Sequence, residues 1–96
     1  MTLVAAEIEK WLAHLGNERR YSPKTLEAYR RDLRQFLEFL AEPLGSAPSL
    51  KDLAALKPTD VRAFLGARRA EGVGNHSLMR QLAGLRGFGR YLERNG

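Results

Sequence analysis

The sequence contains no cysteine, which excludes a disulfide framework and any thiolate metal site and is compatible with a reducing compartment. It also lacks any run approaching the ~20 apolar residues that cross a bilayer. The opening Met1 to Ala6 is followed at once by Glu7, Glu9 and Lys10, so the expectation is a soluble, unexported, cytoplasmic chain with no membrane partner. His14 and His76 have no cysteine and no carboxylate at ligand spacing, which argues against zinc. Gly72-Val73-Gly74 lacks the lysine and spacing of a phosphate-cradling loop, and no cofactor is expected. Acids are scarce relative to bases, 11 Asp and Glu against 16 Lys and Arg, giving a formal charge of +5. That balance favours an anionic partner without naming it.

What is present fits one small domain spanning residues 1–96: 44% hydrophobic residues, with one Trp, three Tyr and four Phe to close a single core. The apolar pattern is helical throughout, with no competing strand alternation, internal repeat or low-complexity segment. Val4, Ile8, Trp11, Leu12 and Leu15 define a first helix over about 3–15, ended by Gly16-Asn17. Ser22-Pro23 reads as a cap and a first-turn proline opening a second helix over about 23–41, with Leu26, Tyr29, Leu33, Phe36, Leu37 and Leu40 on its stripe and Pro43 and Gly45 interrupting it. A short helical turn is expected near 50–56. A third main helix, about 58–71, opens at Pro58, buries Val61, Phe64 and Leu65 and ends at Gly72. The fourth, about 75–94, carries Leu78, Leu82, Leu85, Phe88 and Leu92. The expected fold is all-α, a compact orthogonal bundle of four main helices.

The faces opposite those stripes carry the charge. On the fourth helix the outer face is His76, Arg80, Ala83, Gly87, Arg90 and Arg94, flanked by Gly84 and Arg86, with no acid until Glu93. Each glycine costs about 1 kcal/mol against alanine in a helix. A smooth face that lets the helix approach a groove wall or another helix would explain them; so would an ordinary soluble face. On the second helix the outer face is Lys24, Ala28, Arg31 and Gln35, with Arg34 on the flank, and the segment Arg19 to Arg34 holds six basic residues against Glu27 and Asp32. Ser22 and Thr25 place hydroxyls beside the exposed amides at the helix start, which suits a phosphate or plain capping. Tyr21, Tyr29, Tyr91 and Trp11 fall on or beside core stripes and read as packing residues.

The run Tyr21-Ser-Pro-Lys-Thr-Leu-Glu-Ala-Tyr-Arg-Arg-Asp-Leu-Arg-Gln-Phe-Leu resembles the S-x-x-T-x-x-x-Y-x-x-D-L-x-x-F signature of Xer-type tyrosine recombinases. Leu56-Lys-Pro-Thr-Asp-Val-Arg-Ala-Phe-Leu, Gly72, and Ser77-Leu-Met-Arg-Gln-Leu-Ala-Gly-Leu-Arg-Gly-Phe-Gly-Arg-Tyr-Leu are similar, in order and spacing, to the rest of that family's amino-terminal domain. The resemblance implies a SAM-like core-binding domain forming one jaw of a clamp around double-stranded DNA, with the second and fourth main helices near the major groove. Lys24, Thr25, Ala28, Arg31, Asn75, His76, Ser77, Arg80 and Gly84 occupy positions that resemble family DNA contacts. Arg34, Gly87 and Arg90 join them from helix-face geometry alone. Ala83, Gly74, Gly87 and Gly89 depart from the family's usual residues.

The resemblance further implies that the strand-cleaving chemistry, a tyrosine nucleophile among arginines, a lysine and histidines, belongs to a separate catalytic domain absent from this chain. Arg94-Asn95-Gly96 stands where a linker to it is expected. No catalytic residue is assigned, and the expected partners are duplex DNA, the chain's own catalytic domain and other recombinase protomers in a synaptic tetramer. A reading from another class is a helical protein-interaction domain whose Gly84 and Gly87 face receives a partner helix.

Overall fold

The computed structural model describes residues 3–95. The expectations attached to Met1 and Gly96, the opening of the chain and the start of a linker, lie outside the described residues. Five helices follow in order: α1 (Leu3–Asn17), α2 (Pro23–Leu44), α3 (Leu50–Ala54), α4 (Pro58–Ala70) and α5 (Asn75–Asn95). There is no strand among the described residues, and the all-α bundle expected from periodicity is the fold found. None of these helices is long and apolar enough to cross a membrane.

The helix ends follow local chemistry. Ser22 caps α2, with Pro23 in its first turn. At α3, Ser49 Oγ accepts from the Asp52 amide at 3.1 Å while the Asp52 carboxylate accepts from the Ser49 amide at 2.8 Å, a reciprocal capping box. Asp60 accepts from the Lys57 amide at 2.8 Å at the start of α4. That helix closes on Gly72, whose φ of 96° lets the Gly72 and Val73 amides return to the Arg69 and Arg68 carbonyls at 3.0 and 3.1 Å.

Two ends differ from expectation. α1 runs through Gly16 to Asn17, and the left-handed residue is Arg20, with φ 57°. Gly16 eases the approach of α2: a Cβ there would stand 3.1 Å from a Leu26 methyl, which would have to give by a few tenths of an ångström. α2 continues past Pro43 to Leu44 and stops at Gly45, φ 78°, whose amide donates to the Ala41 carbonyl at 2.8 Å. A proline in the last turn removes only one bond from a ladder already ending, so it does not halt the helix where it stands.

The stripes meet in two joined clusters. Val4, Ile8, Trp11, Leu12 and Leu15 of α1 pack with Leu33 of α2 and Phe88 of α5, and Phe36 and Leu40 pack with Phe64 of α4. Each fully buried side chain of this kind contributes about 1.5–3 kcal/mol. α5 is the common partner, lying against α1, α2 and α4.

Candidate nucleic-acid interface

At the entry of α2, Ser22 Oγ accepts from the Thr25 amide at 3.2 Å and lies 3.0 Å from Thr25 Oγ1. Both hydroxyls serve the cap. Lys24, next to Pro23, is exposed, Ala28 is half-buried, and Arg31 and Arg34 are exposed. The adjacent arginines part company: Arg30 donates from Nε and Nη2 to Glu9 of α1 at 2.9 and 2.7 Å, whereas among the described residues Arg31 has no carboxylate partner. Arg30 therefore ties α1 to α2, and Arg31 keeps its charge for solvent or a ligand.

On α5, Asn75 accepts from Arg69 Nη2 at 3.3 Å, His76 is exposed and Ser77 is half-buried. Arg80 is different. Its Nε and Nη2 both donate to Asp32 of α2 at 2.8 Å, a bidentate pair joining the two helices. Asp32 is 1% exposed, and its Oδ1 also accepts from Gln81 Nε2 at 3.2 Å. Gln81, equally buried, reaches Gln35 Oε1 at 3.3 Å. The Asp32 hydrogen bonds hold the Arg80 guanidinium above its already high ordinary pKa. Burial, then the neighbouring Tyr21 and Asp32, raises the Tyr29 phenol.

Sequence reasoning missed this network, counting Asp32 only as an acid diluting a basic helix. The signal was available: Tyr29, Asp32, Leu33 and Phe36 share the i, i+3, i+4, i+7 spacing of the core stripe, as Leu78, Gln81, Leu82 and Phe88 do with offsets of three, four and ten. A buried acid at such a position needs a cation against it, and the half-buried Arg80 supplies it.

The glycines require a correction. Gly84 is buried, and a Cβ there would lie 3.0 Å from Tyr29 Cδ1; at Gly87 a Cβ would lie 2.9 Å from Trp11 Cζ2. Their smoothness receives the chain's own aromatics, Trp11 and Tyr29 being stacked at 5.5 Å, and is not a free face for a groove wall or a partner helix. The physical reason is the α1–α2–α5 junction, where aromatic rings leave no room for a side chain on α5. Arg90 remains exposed.

The structure thus brings α2 and α5 side by side along a seam closed by Tyr29 against Gly84 and Asp32 against Arg80. Lys24, Arg31 and Arg34 stand on α2, and His76, Ser77 and Arg90 on α5. Among the described residues Lys24, Arg31, Arg34 and Arg90 form no ion pair, so the surface carries uncompensated positive charge.

Residues 8–96 match the family described as phage integrase, N-terminal SAM-like domain. The chain is 61% identical over 93 residues to a protein of Bradyrhizobium diazoefficiens named "Tyrosine recombinase XerC", covering 97% of this chain and 29% of that protein. It is 57% identical, with the same coverage, to a protein of that name from Rhizobium meliloti. A third, from Methylobacterium nodulans, is 62% identical over 86 residues, 90% of this chain and 26% of the relative. The chain thus spans less than a third of the length of these relatives. No solved structure matches it.

Proposed function

The chain belongs to the phage integrase N-terminal SAM-like domain family, and on that premise we propose that it binds duplex DNA through the face shared by α2 and α5, as one jaw of a clamp. In this reading residues 1–96 form a single core-binding domain. The other jaw is a catalytic domain outside this chain, and the whole protein is a site-specific recombinase of the tyrosine class, the class its relatives' name gives. Recombinase protomers on paired duplexes would be its further partners, and the cytoplasm its setting.

The observation that carries the reading is the joining of two basic helix edges, distant in sequence, across the Asp32–Arg80 pair. Lys24, Thr25, Ala28, Arg31 and Arg34 supply one edge; Asn75, His76, Ser77, Arg80 and Arg90 supply the other. Exposed arginine and lysine suit phosphates, and the small or hydroxylated residues between them allow close approach. Gly84 leaves the contact set because it is buried against Tyr29, and Gly87 leaves it because the side-chain direction there meets Trp11, though its backbone remains half-exposed. Arg80 offers only the outer part of its guanidinium, because Nε and Nη2 already serve Asp32. The interaction reading built on a smooth glycine face loses its surface for the same reason.

One jaw makes part of a clamp's contacts, so binding on the order of 10⁻⁴ to 10⁻⁶ M, falling steeply with salt, is expected. The test is titration with duplex DNA at two salt concentrations, comparing the parent chain with Arg31→Glu/Arg34→Glu. These two side chains are exposed and unpaired, so the substitution reads the surface without touching the core. Binding indifferent to salt, or undiminished in the double variant, overturns the proposal.

A further inference from the structure

A cleft of about 540 Å³ opens between the end of α1, the entry of α2 and the C-terminal half of α5. Its size falls within the roughly 300–1,000 Å³ of ligand sites. Arg19, Arg86, Arg90, Arg94 and His14 line it, and no carboxylate does. Among the described residues none of these four arginines forms an ion pair. The dipole at the end of α5 favours a cation at Arg94, but Arg86 and Arg90 lie further back and gain little from it. Four guanidiniums around one concavity repel one another, and an anion is the counter-charge that relieves them.

Three tyrosines give the floor of the cleft its aromatic surface. Trp11 and Leu15 are buried beneath it, and Tyr21, Tyr29 and Tyr91 are half-buried along it. On the α5 side the wall is low: Ala83 carries a single methyl, and Gly87 presents only backbone over Trp11. A flat hydrophobic group therefore meets rings while its charged ends meet arginines.

We propose that this cleft takes an unpaired nucleotide of a single DNA strand, the base lying against the tyrosines and its flanking phosphates on the arginine rim. Aromatic faces and a cationic groove together are the means by which proteins hold single strands without reading sequence. An acidic peptide would satisfy the arginines but not the aromatic floor. The inference shares nucleic-acid chemistry with the duplex reading and meets it along the outer face of α5; His14, Arg19 and Tyr21 lie outside the proposed duplex contacts.

The chain's one tryptophan, Trp11, is buried beneath the cleft and stacked on Tyr29 at 5.5 Å, so a base laid against the tyrosines alters its emission through Tyr29 rather than by contact. Short oligothymidylate and a blunt duplex, each fluorescently labelled, are titrated separately, with binding read by anisotropy and by Trp11 emission. The parent chain is compared with Ala83→Leu, which fills the cleft at an exposed position without altering charge. Expected are a change in Trp11 emission with oligothymidylate, a loss of roughly tenfold or more in that affinity for Ala83→Leu, and a distinctly smaller loss for the duplex, since Ala83 also stands on the outer face of α5. An unchanged thermal midpoint establishes that the variant is folded, and Ala83→Ser, which leaves the cleft open, should retain the parent affinity. Absence of oligothymidylate binding overturns the proposal, as does equal weakening of both ligands or equally effective competition by oligoglutamate. Oligothymidylate binding without duplex binding would uphold the cleft and remove the duplex reading.

Discussion

Arg80 of α5 holds the buried carboxylate of Asp32 on α2 through two hydrogen bonds of 2.8 Å, and this pair fixes how the two basic helices lie against each other. A carboxylate with 1% exposure is tolerable only because Arg80 donates to both of its oxygens and Gln81 adds a third hydrogen bond at Oδ1. The same pair limits what Arg80 does elsewhere. Its charge is largely answered from within, so it contributes direction more than long-range attraction at the outer surface.

Removing either partner strands the other. Arg80→Leu, which leaves the carboxylate buried and unpaired, is expected to lower stability by about 3 kcal/mol, and Asp32→Ala by less, because the Arg80 guanidinium left behind is partly exposed to water. For a domain of this size the thermal midpoint should fall by more than about 10 °C. The double variant Asp32→Leu/Arg80→Leu should recover much of that loss, because apolar residues can replace a buried pair. Urea unfolding of the three variants checks it; additive losses would show that the pair is not coupled.

The glycines of α5 should divide by what stands opposite them. Gly89→Ala meets nothing within 4 Å and should stabilise by about 0.5–1 kcal/mol through helix propensity. Gly87→Ala gains the same propensity but drives a methyl to 2.9 Å from buried Trp11, and a net loss of about 1 kcal/mol or more is expected. Thermal melts of the two single variants give opposite signs if the packing is as described.

Acid should weaken the α1–α2 tie. The hydrogen bonds from Arg30 hold the Glu9 carboxyl below its ordinary value of 4.5. A lowered folded-state pKa means that the unfolded chain takes up the proton first as pH falls. The pair's contribution is therefore complete above about pH 4.5 and is lost as pH drops through the folded value. Both side chains are about half exposed, so the contribution is small, under about 1 kcal/mol. Glu9→Gln should flatten the stability profile between about pH 5 and pH 3, seen by urea midpoints across that range.

Salt dependence should separate the arginines of the duplex face. Arg31→Ala is expected to reduce the slope of log affinity against log salt by about one, as for a phosphate contact. Arg30→Ala, whose parent side chain is occupied by Glu9, should leave the slope nearly unchanged. Equal slopes for both variants would mean that the unpaired state of Arg31 does not select it for DNA.

Much of the fold was legible in the chain because amphipathic spacing is a local property. Val4 to Leu15 on α1 and Leu78 to Phe88 on α5 announce both a helix and its buried side, and Ser22-Pro23 and Gly72 mark boundaries through backbone chemistry that any neighbour would share. The family motifs were legible for the same reason, as ordered spacings along a line. Which basic side chains remain free was not. Arg30 and Arg31 are adjacent and chemically identical, and only the arrival of Glu9 from α1 distinguishes them. Gly84 and Gly87 announce that something lies close, but whether it is DNA, another protein or the chain's own Tyr29 and Trp11 depends on how three helices meet. Sequence determined the helices, their inner faces and the basic character of the outer ones. Tertiary structure decided where that charge is cancelled and where it stands open, because ion pairing and steric contact depend on distances between residues that spacing along one helix does not contain.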